Sequence, residues 1–131
     1  MPQEQHRATA RVLDILETLS GSGTGMTLTE LAQALQAPKS SLFPIVHTLE
    51  QRRYLWQDQN SGRYTVGLGV LVLGTAFTED RGLAPVVQVM KDLVNRCQET
   101  CQLGILDQGS VLYIEREDSN QAIRLISRVG V

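Results

Sequence analysis

The sequence predicts an α+β fold, with helices leading and strands following. Three features of the chain point there. Between Val12 and Leu49 one apolar spacing, i, i+3, i+4, i+7, recurs three times. Directly afterwards two short runs of strand-forming residues flank a polar turn, and the stretch beyond Cys101 again reads as strands. The 131 residues are 42% hydrophobic and 20% charged, enough for one ordinary core or two small ones.

The first helix uses Val12, Ile15, Leu16 and Leu19 as its apolar stripe and stops at Ser20-Gly21-Ser22-Gly23. A capping box, Thr27-Leu28-Thr29-Glu30, opens the second helix: the Thr27 hydroxyl and the Glu30 carboxylate each satisfy an orphan backbone N–H. Its stripe is Leu28, Leu31, Ala32 and Leu35. After the turn Gln36-Ala37-Pro38, a hydroxyl-rich helix opens at Lys39-Ser40-Ser41 and buries Leu42, Ile45, Val46 and Leu49. Tyr54-Leu55-Trp56-Gln57, a turn at Gln59-Asn60-Ser61-Gly62, and Arg63-Tyr64-Thr65-Val66 then make a β-hairpin signal. Three helices closed by a hairpin are a winged helix-turn-helix, assigned to residues 1–67 with the helix-turn-helix at about 28–52 and the wing at 54–66.

Residues 68–82 are expected to form a linker helix from about Leu68 to Asp80, broken by Arg81-Gly82. Leu83-Ala84-Pro85 opens another helix, because proline suits a first turn. Val86, Val89, Met90, Leu93, Val94 and Cys97 should form its buried side. Strands follow at Cys101 to Asp107, Val111 to Arg116 and Ala122 to Ser127, with a turn at Gln108-Gly109-Ser110. One helix and three strands begin an α/β domain over residues 83–131 without completing one. The free edge of such a sheet invites pairing with a second copy.

Net charge is −2, but the sign is uneven along the chain. From Gln36 to Val66, Lys39, Arg52, Arg53 and Arg63 outnumber Glu50 and Asp58, whereas acidic residues exceed basic ones from Gly67 onwards. Two cysteines, Cys97 and Cys101, and two histidines, His6 and His47, are too few and too scattered for a zinc site, and a reducing cytosol is the expected compartment. Met1 to Arg7 lacks the apolar core of a secretory signal. The apolar run from Leu68 to Phe77 falls far short of the roughly 20 residues that span a bilayer. No membrane, metal or cofactor is expected. Nor is an enzyme: there is no phosphate loop or nucleophile elbow, the cysteines lack a partner base, and Glu115, Glu117 and Asp118 read as a solvated strand end.

On double-stranded DNA, the third helix would enter the major groove while the second touches phosphates. Lys39, Ser40 and Ser41 can donate to phosphates or bases, and Phe43 can meet a thymine methyl. His47 can donate to a phosphate or a purine N7, or can simply be solvated. Thr27 and Thr29 sit at the positive end of the second helix and suit phosphate contact, although capping alone accounts for Thr27. Arg63 and Tyr64 in the wing would lie along a neighbouring groove or backbone, with Trp56 in the core. Arg52 and Arg53 suit a helix C-terminus by charge alone.

Pro44 stands out. It lies mid-helix beside the outward face, removes the N–H that would bond to Ser40, and costs roughly 3 kcal/mol in a helix interior. Either the helix starts near Lys39 and bends at Pro44, or it starts late with Ser41 as N-cap. The inward phase of Leu42 with Ile45 and Val46 favours the early start.

Arg11-Val12-Leu13-Asp14-Ile15-Leu16, Thr27-Leu28-Thr29-Glu30-Leu31-Ala32, Pro38-Lys39-Ser40-Ser41, Thr48-Leu49-Glu50 and Gly62-Arg63-Tyr64-Thr65-Val66-Gly67 together resemble the IclR family of bacterial transcriptional regulators. Leu83-Ala84-Pro85-Val86, Leu103-Gly104-Ile105-Leu106-Asp107 and Val111-Leu112-Tyr113-Ile114 resemble the opening of that family's effector-binding domain. The resemblance implies a homodimeric or tetrameric regulator, a repressor by the usual pattern, that binds palindromic operators at the bacterial nucleoid and answers a small-molecule effector. Two departures stand against it. Pro44 replaces the arginine usual in the recognition helix, and the effector pocket is expected to be incomplete, so no ligand residues are carried over. The alternative is a protein-interaction module that pairs with full-length relatives as an antagonist without reading DNA specifically.

Overall fold

The computed structural model describes residues 3–120 and residue 130. It divides into two compact units, Met1–Thr75 and Ala76–Val131.

In the first unit the three apolar stripes become three helices, α1 (Arg7–Ser20), α2 (Leu28–Ala34) and α3 (Lys39–Gln51). Ile15 and Leu19, Leu31 and Ala32, and Leu42, Val46 and Leu49 meet in one core, which Leu55 and Tyr64 of the wing complete. Ile15, Leu31, Leu42 and Val46 are wholly inaccessible to solvent. Truncating any one of the larger of these to alanine would cost about 2–5 kcal/mol, a large share of a small domain's stability. The His6 ring caps α1 by accepting the Thr9 N–H. At α2 both halves of the capping box form: Glu30 N–H donates to Thr27 Oγ1 (3.2 Å) and Thr27 N–H donates to Glu30 Oε2 (3.0 Å).

Strands β1 (Leu55–Gln57) and β2 (Tyr64–Val66) pair antiparallel, Trp56 opposite Thr65. Met26 adds a bridge to Tyr64 through reciprocal backbone hydrogen bonds of 3.1 and 2.7 Å, so the wing is sewn to the segment that leads into α2. The period of two along β1 and β2 corrects two expectations. Leu55, Gln57, Tyr64 and Val66 share the inner face, which takes Tyr64 into the core at 5% exposure. Trp56 points to the other face and is 59% exposed, not core.

Helix α4 spans Leu68–Asp80, as the linker reading expected, and the division between the units falls within it. Its first turn hangs from the end of α3, where Gly69 N–H donates to the Arg53 carbonyl at 2.7 Å. None of its residues is buried.

The second unit contains α5 (Ala84–Cys97) and an antiparallel hairpin of β3 (Cys101–Asp107) and β4 (Ser110–Glu117), with a register shift at Leu103/Gly104. Gln108 and Gly109 both take positive φ, the conformation a tight two-residue hairpin turn needs. Here the inward stripe of α5 is narrower than expected. Met90 and Val94 are buried, but Val89 is 64% and Leu93 48% exposed, and Cys97 is exposed as well. The helix therefore shows its hairpin one row of side chains, not the two that six apolar residues suggested. The expected strand Ala122 to Ser127 lies outside the described residues.

Candidate nucleic-acid interface

Helix α3 begins at Lys39, with Pro38 as N-cap and Pro44 inside, so the late start at Ser41 is not adopted. That phase fixes the site. With Leu42, Val46 and Leu49 turned inward, Lys39, Ser40, Ser41, Phe43, Pro44 and His47 are exposed. Phe43 and His47, one turn apart, stack with ring centroids 5.8 Å apart and planes 15° from parallel. An apolar surface and an imidazole are thus presented together. Ser41 Oγ donates back to the Pro38 carbonyl (2.8 Å), which ties its hydroxyl to the first turn, while Thr48 Oγ1 donates to the Pro44 carbonyl (2.9 Å). Pro44 itself borders an open apolar groove with Val12 and Leu16 of α1, Ile45, Tyr54 and Leu73. Sequence reasoning placed Pro44 beside the outward face and missed the groove, which only the packing of α1 against α3 creates.

On α2, Thr29 is exposed in the first turn, and Thr27 is half-buried with its hydroxyl engaged in the capping box. Arg63 is the surprise. Expected along a groove or backbone, its guanidinium instead grips Glu30 at two points, Nη1 to Oε2 at 2.9 Å and Nη2 to Oε1 at 3.0 Å, and donates from Nη1 to the Gly25 carbonyl at 2.8 Å. The Thr27 backbone N–H, and with it the Arg63 guanidinium, holds the Glu30 carboxyl below its ordinary range. At the wing tip, the Asn60 N–H and the Ser61 hydroxyl do the same for Asp58. Tyr64, named as a contact from the sequence, is corrected to a core residue whose hydroxyl is pushed up by burial and by the charge of Glu50. Trp56 takes its place as the exposed wing aromatic, and strict alternation from Leu55 would have found it.

Among the described residues no helix is long and apolar enough to cross a membrane, and no cluster of histidine, cysteine and carboxylate side chains could hold a metal ion.

Two family models match this arrangement: the IclR helix-turn-helix domain over residues 8–59 and the bacterial transcriptional regulator IclR C-terminal domain over residues 81–131. The chain belongs to the IclR family. Among IclR-family relatives it is 31% identical to the HTH-type transcriptional regulator KdgR of Escherichia coli K12, covering 92% of this chain and 46% of that protein. It is 28% identical to the acetate operon repressor of Salmonella typhimurium, covering 96% of this chain and 47% of that one. The chain thus spans about half the length of these curated relatives. The fold agrees with that of Pseudomonas aeruginosa HmgR, at a TM-score of 0.82 and 22% identity over 96% of this chain and 54% of that one. An IclR homologue from Microbacterium hydrocarbonoxydans complexed with 4-hydroxybenzoate gives a TM-score of 0.80 at 25% identity, covering 94% and 51%. These IclR-type relatives are named as regulators, not enzymes.

Proposed function

We propose that the chain binds double-stranded DNA as a transcriptional regulator, a repressor acting in the bacterial cytoplasm, with α3 in the major groove. The observation that carries this is the exposed row Lys39, Ser40, Phe43 and His47 on one helix whose opposite face is locked into the core. A cation and a hydroxyl stand at the N-terminal end of α3, where a recognition helix reaches the bases, and an aromatic stack follows one turn on. Thr29 at the start of α2 supplies a phosphate contact.

The active species is a dimer, or a tetramer of two dimers, on a palindromic operator, joined through α1 and α4. Leu68, Leu71, Val72 and Leu73 of α4 are each more than half exposed, and a helix apolar on every side is stable only when covered. In the second unit an apolar cavity of about 330 Å³, lined by Leu83, Val87, Leu103, Leu112 and Ile114, would take part in holding a small-molecule effector.

A second reading, an antagonist that pairs with longer relatives and does not select sequence, is favoured by Pro44, which offers no donor to a base. Titration of the purified chain against genomic DNA fragments at two salt concentrations separates them. Shifts confined to particular fragments and persisting at the higher salt support the regulator, and binding that vanishes without preference supports the antagonist.

A further inference from the structure

The wing carries one arginine, Arg63, and it is already engaged. Its fork meets the Glu30 carboxylate in the two-point geometry that makes arginine hard to replace, and its third bond goes to the carbonyl of Gly25, two residues ahead of Thr27, the N-cap of α2. Glu30 in turn is held by the N-cap of α2. Arg63 therefore joins the wing to the end of α2 that carries Thr27 and Thr29, beside the backbone bridge between Met26 and Tyr64. The pair sits 33 residues apart in sequence and is only part-buried, with side chains 36% and 43% exposed.

We propose that Arg63 and Glu30 act as a positioning pair for DNA binding: Arg63 holds the wing at a fixed angle to α2 and α3, and does not itself neutralise a phosphate. The inference rests on the proposed DNA-binding function, and it makes an acidic residue favourable to binding a polyanion. Simple charge counting requires the opposite, because removing Glu30 would lower repulsion and free Arg63 for a phosphate.

The test uses E30Q, R63Q, R63K and the double variant E30Q/R63Q, with a fluorescent duplex of mixed sequence as the probe and anisotropy read across a KCl series. E30Q is chosen because glutamine still closes a capping box, so α2 keeps its cap while the ion pair is lost. Positioning predicts that E30Q, R63Q and R63K each weaken binding by about threefold to tenfold, that the double variant is no weaker than the worst single one, and that the salt slope stays at its parent value. It also predicts that the anisotropy of Trp56, the chain's one tryptophan and a wing residue, falls in all of them without DNA present. A direct phosphate contact predicts that E30Q binds as tightly as the parent or more so, that R63K retains binding, and that R63Q lowers the salt slope by about 0.9. Any of those three results overturns the proposal. If the parent chain binds no duplex while Trp56 still loosens in E30Q, the DNA-binding function fails and takes this role with it, leaving a structural clamp only.

Discussion

Phe43 and His47 lie one turn apart on α3 with their rings stacked, 5.8 Å between centroids, on a face where Phe43 is 53% exposed. An exposed phenylalanine is a poor choice for solubility and a good one for a thymine methyl. Because Phe43 stands outside the core, Phe43→Ala should leave unfolding free energy within about 0.5 kcal/mol of the parent. DNA affinity should drop by about 1–3 kcal/mol on fragments that bind specifically and little on those that do not. Paired denaturation and binding curves read both numbers; equal loss on every fragment would mean that Phe43 reads no base.

Pro44 leaves the Ser40 carbonyl without its helical partner at an exposed position. Pro44→Ala restores the N–H and should stabilise the chain by about 1–3 kcal/mol in urea, less whatever the proline contributes by restricting the unfolded chain. Pro44→Arg adds a cation beside the recognition face. It should raise DNA affinity and steepen the salt dependence by up to about 0.9 in slope. Unchanged binding curves would put position 44 off the DNA and leave its role in the groove beside Val12 and Leu16.

Acid should loosen the wing. Glu30 and Asp58 both sit below their ordinary carboxyl range, held there by hydrogen bonds that favour the ionised form. A group whose folded pKa is depressed stabilises the fold above its unfolded value and loses that contribution as pH falls through the folded one. Stability should therefore be level from neutral pH to about 5, then decline below the ordinary values of about 4.3 for glutamate and 3.9 for aspartate. E30Q should shallow that decline, with Asp58 left to supply the rest. A pH series of thermal melts checks it, and equal slopes for parent and variant would remove Glu30 from the account.

Much of this was legible in the sequence because the signals are local. The stripes of α1, α2 and α3 lie within single helices, and the capping box spans only Thr27 to Glu30, so spacing alone found the helices and the cap. The wing was harder. Trp56 and Tyr64 are both strand-forming aromatics, and residue type says nothing about phase; the inner face is set by pairing Leu55 with Val66, which puts Tyr64 in and Trp56 out. The bond of Arg63 to Glu30 was not legible because the two lie 33 residues apart, and a positive side chain in a wing has no sequence signature for an internal ion pair.

Gly25 lies against the wing, next to the bridge between Met26 and Tyr64. Its φ is +76°, and a Cβ there would stand 2.6 Å from the Tyr64 carbonyl oxygen and 2.8 Å from Thr65 Cγ2. Backbone conformation and space both exclude a side chain, and the same residue's carbonyl accepts from Arg63. Gly25→Ala should cost about 2 kcal/mol or more and spread the hairpin from α2. Hydrogen exchange at the Met26 and Tyr64 amides, which bond each other's carbonyls, should rise together. Protection kept at both would mean that the bridge tolerates the shift.

Helix α4 sets the strongest demand for a partner. Leu71, Val72 and Leu73 are 65%, 63% and 62% exposed in consecutive positions, so they point in three directions around the helix and no single face of the same chain can cover them. At about 25 cal/mol per Å² of apolar surface removed from water, covering such a helix in a second copy is worth several kcal/mol before the cost of association. Replacing Leu71 and Val72 together by glutamate should then convert an associated species into a monomer in sedimentation. The fold of the first unit should survive, because neither residue belongs to the core of Ile15, Leu31, Leu42 and Val46. Loss of operator binding should accompany the loss of association, since a palindrome binds a monomer at only one half-site and forfeits the gain from linking two. A parent chain that sediments as a monomer, or a variant that still associates, would move the interface away from α4.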